Sequence, residues 1–382
     1  MDQASFEALL HQFQSRCATD AAIRELTVLP GPAAAPLVLL VHGIGGNARH
    51  WSDPAALDPN ETWLFNLDAP PPPAAPGLLM SAPYAPGAVT PWVPVLHNHQ
   101  FTVITYSQSR PDDALQFAVT ELSALLRQLE QTVFTPYAQA VAPTGGAVPP
   151  LIILCHSRGG LVTRGALKQL GAAGVPHLRT VITLNTPHQG SYMPRLAHDY
   201  NQRLQTAIDF RPLAQRLPGL IRGFFEQAID RYVDTLANRV REALLHAFGP
   251  LAQGPGFEEL IPGSAMLTAL ASGEQPLPNV QYLSFGGSNP VFVKFYVSEL
   301  GHAVYLVSAV GSFLVERLAQ LPGVASAYGG LAELLQGDSA VGLASSHWPD
   351  GFSGQHQELH YNHMQALVDP ALQQAVLPLL QN

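Results

Sequence analysis

Leu151-Ile152-Ile153-Leu154-Cys155-His156-Ser157-Arg158-Gly159-Gly160 decides how this chain is read. Four apolar residues run into a small polar cluster, a serine and two glycines. Leu161-Val162-Thr163-Arg164-Gly165-Ala166-Leu167 then reads as a helix. Buried strand, sharp turn and helix is the layout of a nucleophile elbow, where a serine is held in a strained turn at the top of a parallel sheet. Ser157 Oγ would then point into a cleft. The next N–H, of Arg158, would lie at a helix N-terminus, where unpaired donors and the dipole favour a developing anion. Cys155 stands where the Gly-x-Ser-x-Gly pattern has its first glycine; cysteine is a small, easily buried substitute. The plain alternative is a serine at an ordinary strand–helix junction.

Working outward, Leu37-Val38-Leu39-Leu40-Val41 is a continuous apolar run, as suits a strand covered on both faces. It feeds His42-Gly43-Ile44-Gly45-Gly46-Asn47, whose glycines let backbone N–H groups approach a ligand. Two uses are open, phosphate cradling and oxyanion binding. The first lacks a following Lys-Ser/Thr and a Gly-x-Gly-x-x-Gly spacing. Asp68 to Pro94 is dense in proline and reads as a long ordered loop over the sheet. Phe101 to Tyr106 reads as a strand. A helix follows from about Pro111 to Gln131, with Ser109 or Asp112 as cap and Leu115, Val119, Leu122, Leu125 and Leu126 as its apolar face. Thr180 to Leu184 and Val280 to Phe285 read as further strands. The alternation implies parallel βαβ units.

At 382 residues the chain is expected to be a single α/β domain, 1–382, carrying a helical lid insertion at 192–265 and a second helical insertion at 290–335. Ile221 to Leu244 repeats apolar residues at helical spacing. Phe6, Leu9, Leu10 and Phe13 give an N-terminal amphipathic helix, not a signal peptide, so a cytoplasmic protein is the default unless a leader was removed. No run is long enough to span a bilayer; Leu300 to Val315 reads as a buried or lid helix. A net charge of −9 argues against a general nucleic-acid binder. Two cysteines, Cys17 and Cys155, make no disulfide framework.

A serine nucleophile needs a base, and the base needs a carboxylate. The chain order Ser157, Asp338, His363 meets that need. Asp350 and Glu299 are rival acids, and His360 and His356 rival bases. The tract His356, His360, His363 lacks a partner at a recognisable ligand spacing, so no metal is assigned. No cofactor is assigned either.

Five segments together resemble α/β-hydrolases of the lipase group, most of all bacterial triacylglycerol lipases and related esterases. They are His42-Gly43-Ile44-Gly45-Gly46, Cys155 to Gly160, Asn185-Thr186-Pro187-His188-Gln189-Gly190-Ser191, Asp338 to Ser346, and Asn362-His363-Met364. The resemblance implies a mostly parallel central sheet flanked by helices, with helical lid insertions. It implies that Ser157 attacks an ester carbonyl, that His363 shuttles the proton, and that Asp338 orients His363. The N–H groups of Ile44 and Arg158 would form the oxyanion hole, with His42, Gly43, His156 and Gly159 supporting. Members of this group often hold a structural calcium with an aspartate two residues after the histidine. Gln365 stands there, so that site is not expected. The implied partner is an apolar acyl ester or lipid, with transient lipid-interface contact. A catalytically silent binding protein and an acyltransferase with the same residues are the alternatives.

Overall fold

The computed structural model describes residues 1–19, 23–54, 66–67, 77–81, 84, 87–195, 254–291, 294–299, 302–308, 331–352 and 354–381. Helix α1 (Gln3–Ala18) is capped by Asp2, whose carboxylate accepts from Ser5 N at 2.7 Å. It buries Phe6, Leu10, Phe13 and Cys17, the face its spacing foretells. Then follow β1 (Ile23–Leu29), β2 (Leu37–Val41), a short α2 (Arg49–Ser52), β3 (Gly77–Met80), α3 (Trp92–Asn98) and β4 (Thr102–Gln108). Helix α4 (Leu115–Leu129) continues through a π-helical turn into α5 (Thr135–Val141). The elbow pair, β5 (Leu151–His156) and α6 (Gly159–Gly174), leads to β6 (Leu178–Leu184). Beyond lie α7 (Pro255–Glu258), α8 (Ala265–Ala271), β7 (Gln281–Gly287), β8 (Lys294–Glu299) and β9 (His302–Ser308). The described elements end with α9 (Leu331–Gln336), α10 (Leu343–Ser346), β10 (Gln355–Leu359) and α11 (Pro370–Val376).

Among the described residues, seven strands form one sheet in the order β1-β4-β2-β5-β6-β7-β10. Only β1 runs antiparallel to its neighbour. Strands β2, β4 and β5 are buried along their whole length; β2 and most of β5 are apolar runs, as coverage on both faces favours, while β4 also buries Thr102, Thr105, Ser107 and Gln108. Alternate residues serve opposite layers. Leu37, Leu39, Val41, Ile153 and Cys155 pack with the apolar faces of α1, α4 and α6. Val38, Leu40, Ile152, Leu154 and Phe285 pack with Trp51, Trp92, Leu372 and Val376. This period of two puts helices on both faces and leaves the strand ends free to carry the site.

Five features differ from the sequence reading. Strand β1 precedes the expected first strand; its mixed, half-exposed pattern suits an edge position. Helix α4 starts at Leu115, and neither Ser109 nor Asp112 caps it. The carboxylate of Glu259, 144 residues away, accepts from Leu115 N at 2.6 Å. The stretch expected as a second helical insertion contains strands β8 and β9, which pair antiparallel and form a three-stranded sheet with β3. Strand β3 in turn interrupts the proline-rich stretch read as loop. Alternating β-branched and aromatic residues such as Phe295, Val297, Val304 and Val307 favour that hairpin over a helix. Strand β10 was not anticipated, because Gln355-His356-Gln357-Glu358 carries no apolar alternation. The helix expected over Leu220 to Phe248 lies outside the described residues, as does most of 192–265. No helix among the described residues is long and apolar enough to cross a membrane.

Candidate active site

Ser157 follows β5 with φ of 54°, a left-handed conformation that a serine adopts only under constraint. The constraint is visible on each side. Ser157 N donates to Leu184 O at 2.8 Å, and Thr186 Oγ1 donates to Ser157 O at 2.9 Å. Gly159 and Gly160 allow the close packing: a Cβ at Gly159 would lie 2.4 Å from Val41 O, and one at Gly160 2.2 Å from Thr186 Oγ1. Cys155 fits where glycine is usual because its side chain turns beneath α6 toward Thr163 Oγ1, at 3.1 Å. Burial pushes its thiol up to about 12.

His363 Nε2 lies 2.9 Å from Ser157 Oγ, and its Nδ1 lies 2.7 Å from Asp338 Oδ2. A carboxylate only accepts, so Nδ1 donates and Nε2 carries the lone pair facing the hydroxyl. Asp338 Oδ1 accepts from Ala340 N at 2.9 Å and Val341 N at 2.7 Å, which fixes the carboxylate plane. His363 N donates back to Asp338 O at 3.1 Å. All three side chains are nearly sealed, with Asp338 1% exposed and His363 8%.

The approach of the acid and base arms depends on Gly287 at the end of β7. A Cβ there would meet Tyr361 O at 2.3 Å and Asp338 Cβ at 2.9 Å. Asn362 folds the histidine loop: its Oδ1 accepts from Met364 N and Gln365 N, and its Nδ2 donates to Val291 O. Gln365 completes this turn through Oε1, which accepts from Asn362 N at 3.0 Å.

His156 lies behind His363, not in the reacting row. It donates from Nε2 to His363 O at 2.9 Å, with the two rings 4.8 Å apart. Burial holds its pKa well below that of an ordinary histidine, and the neighbouring His363 acts in the same direction. Asn185, at φ 52°, donates toward the same His363 carbonyl at 3.4 Å and accepts from Gly287 N at 2.8 Å. The sequence reading placed Asn185 in a motif without seeing this link. The available signal was its residue type, since asparagine tolerates the left-handed turn at a strand end.

On the other rim, Gly43 packs on the serine: a Cβ there would sit 2.8 Å from Ser157 Cβ. The N–H groups of Gly45 and Gly46 donate to Pro111 O and Gly43 O. No described residue accepts from the N–H of Ile44 or Arg158. His42 is a strut for this loop. Its Nδ1 donates to Gly43 O at 2.9 Å and its Nε2 accepts from Gln108 N at 3.0 Å. Desolvation lowers its pKa to about 3, so it is neutral. The Arg158 side chain points away from the serine and donates to Pro111 O at 2.7 Å and to Asp113 O. Burial lowers its pKa to about 10, yet it stays charged.

The rivals stand elsewhere. His356 contacts Ser284 Oγ at 2.8 Å and stacks on His347. His360 makes no described contact with the triad. His188, of the Asn185 to Ser191 segment, is a buried partner of Thr183 and Trp348. Asp350 makes no described contact with His363, and the Glu299 side chain lies outside the described residues.

No protein-family model and no curated protein matches the chain. Among solved structures it is similar to a lipase from Bacillus licheniformis in its mature form, at 16% identity and a TM-score of 0.48, over 94% of this chain and 98% of that one. It is similar to a hydrolase from Oleispira antarctica at 12% identity and 0.41, over 96% and 97%. It is similar to a metagenomic carboxyl esterase at 12% and 0.41, over 92% and 73%. The assignment of fold rests on the chain's own topology. An antiparallel edge strand leads a parallel sheet, with the serine after the central β5, the aspartate after β7 and its hairpin, and the histidine after the last strand. The chain has the α/β-hydrolase fold.

Proposed function

We propose that the protein is a serine carboxylester hydrolase acting on neutral, apolar acyl esters through an acyl-enzyme. The observation that carries this reading is the unbroken row Ser157 Oγ, His363, Asp338, at 2.9 and 2.7 Å. Ser157 Oγ attacks the ester carbonyl carbon while His363 Nε2 takes its proton. The N–H groups of Ile44 and Arg158 receive the oxyanion, the second from the N-cap position of α6. Collapse breaks the bond to the leaving alcohol, which takes the proton from His363. Water, deprotonated by the same nitrogen, then releases the acid and restores Ser157. Asp338 holds the tautomer and balances the imidazolium. His42, Gly43, His156 and Gly159 shape the two rims.

Reaction with a fluorophosphonate, with loss of fluoride, should modify Ser157 alone, as read by peptide mass. Ser157→Ala should abolish labelling and lower hydrolysis of a chromogenic acyl ester by about 10⁶-fold while leaving the circular dichroism unchanged. Absence of labelling in the wild-type chain would favour a silent binding protein. Acyl transfer to an added alcohol in preference to water would make the protein an acyltransferase.

A further inference from the structure

Three potential ligands converge on the exposed edge of the main sheet, away from Ser157. His356 and Glu358 are two residues apart on β10 and share one face. The register places them opposite Ser284 and Gly286 of β7. His347 arrives from the end of α10, and its ring stacks on that of His356 at 3.5 Å between centroids. One ligand atom from each of His347, His356 and Glu358 lies within 4.8 Å of the others.

We propose that these three side chains bind a divalent transition-metal ion of the zinc class, with water completing a tetrahedral shell. Imidazole nitrogens with a carboxylate oxygen are a donor set that Zn²⁺ accepts. His356 is set up for the role. Its Nδ1 lies 2.8 Å from Ser284 Oγ, so donation there leaves the lone pair on Nε2. That Nε2 is buried and has no hydrogen-bond partner among the described residues. Gly286 keeps its approach open: a Cβ there would come within 3.2 Å of Nε2. His347 is half-buried, and no hydrogen bond to a described residue fixes its ring. In the proposed site that ring turns out of the stack to aim its lone pair at the ion held by the other two donors. The ion would join the end of α10 to β10. These are the elements that follow Asp338 and precede His363, so it would fasten the arms carrying the acid and the base.

The sequence reading considered the tract of His356, His360 and His363 and set it aside. The set described here is different, because His347 comes from across a turn and Glu358 from the strand face.

The test uses the full chain, stripped with a chelator, dialysed, and titrated with ZnCl₂. Wild type should bind one Zn²⁺ per chain by equilibrium dialysis and gain several degrees in thermal midpoint. His347→Gln and Glu358→Gln should lose both effects while keeping the metal-free midpoint of the wild type. Ser284→Ala should weaken binding about tenfold, as loss of a partner that orients a ligand does. His363→Ala should bind as wild type. Absence of stoichiometric binding by the wild-type chain would overturn the site. So would wild-type affinity in both His347→Gln and Glu358→Gln, or loss of binding in His363→Ala.

Discussion

At Ser157 the backbone is held at φ 54° by neighbours that leave no room for a relaxed alternative. Strain of this kind costs about 1–3 kcal/mol and persists only where the surroundings over-determine it. The same logic governs His156. Its hydrogen bond to His363 O fixes where the imidazole sits, without touching the reacting atoms. Replacement by phenylalanine keeps the volume and removes the donor. His156→Phe should lower kcat about tenfold, the rate equivalent of one neutral hydrogen bond of about 1.4 kcal/mol, with little change in KM. Steady-state kinetics on a soluble ester checks this; an unchanged kcat would reduce His156 to packing. The reacting residues were legible in the sequence because each chemistry restricts the residue type. The links among them were not. Asn185 reaching Gly287 and His363 spans 102 and 178 residues, and no local pattern encodes such distances.

Element boundaries follow a similar division. Strands β2 and β5 announce themselves as apolar runs, since both faces must be covered, and β4, β6 and β7 as stretches rich in β-branched, leucine and aromatic residues. Strands β1 and β10 lie at the sheet edges and carry polar residues, so periodicity misses them. The start of α4 is another tertiary event, because its first free N–H is taken by Glu259 from a distant turn. Helix α6 is tied down likewise. Arg164 meets Glu274 through Nε at 2.9 Å and Nη2 at 2.5 Å, and its Nη1 donates to His188 O. The pair is almost wholly buried, with side chains 2% and 7% exposed. Glu274→Ala would leave a buried guanidinium uncompensated, so it should destabilise the protein by about 3–5 kcal/mol in urea unfolding. A cost under about 1 kcal/mol would mean that water reaches Arg164 and screens it.

The molecule as a whole carries several buried histidines that are held neutral. His42, with its pKa lowered to about 3 by desolvation, is one; His156 and His188 are depressed in the same direction, first by burial. In the unfolded chain each titrates near 6.5. A depressed folded pKa means that the unfolded state binds protons first. The stability from these groups is therefore complete above about pH 6.5 and is lost as pH falls toward the folded values. His42 alone should cost about 2 kcal/mol by pH 5. The urea midpoint is thus expected to fall markedly between pH 7 and pH 5, and a flat profile would show that water enters around these rings. The fold class was readable from five short segments, but the small sheet of β3, β8 and β9 was not, because its strands are scattered over more than two hundred residues of sequence. Finally, both thiols of the chain lie under the helices, Cys17 at 0% exposure and Cys155 at 0%. Burial in addition pushes the Cys155 thiol up to about 12, so it stays protonated near neutral pH. Maleimides and mild peroxide should leave the native protein untouched, as a mass spectrum after incubation will read. A single cysteine engineered anywhere on the surface would then be the sole handle for a dye or spin label, with no need to edit the natural sequence first.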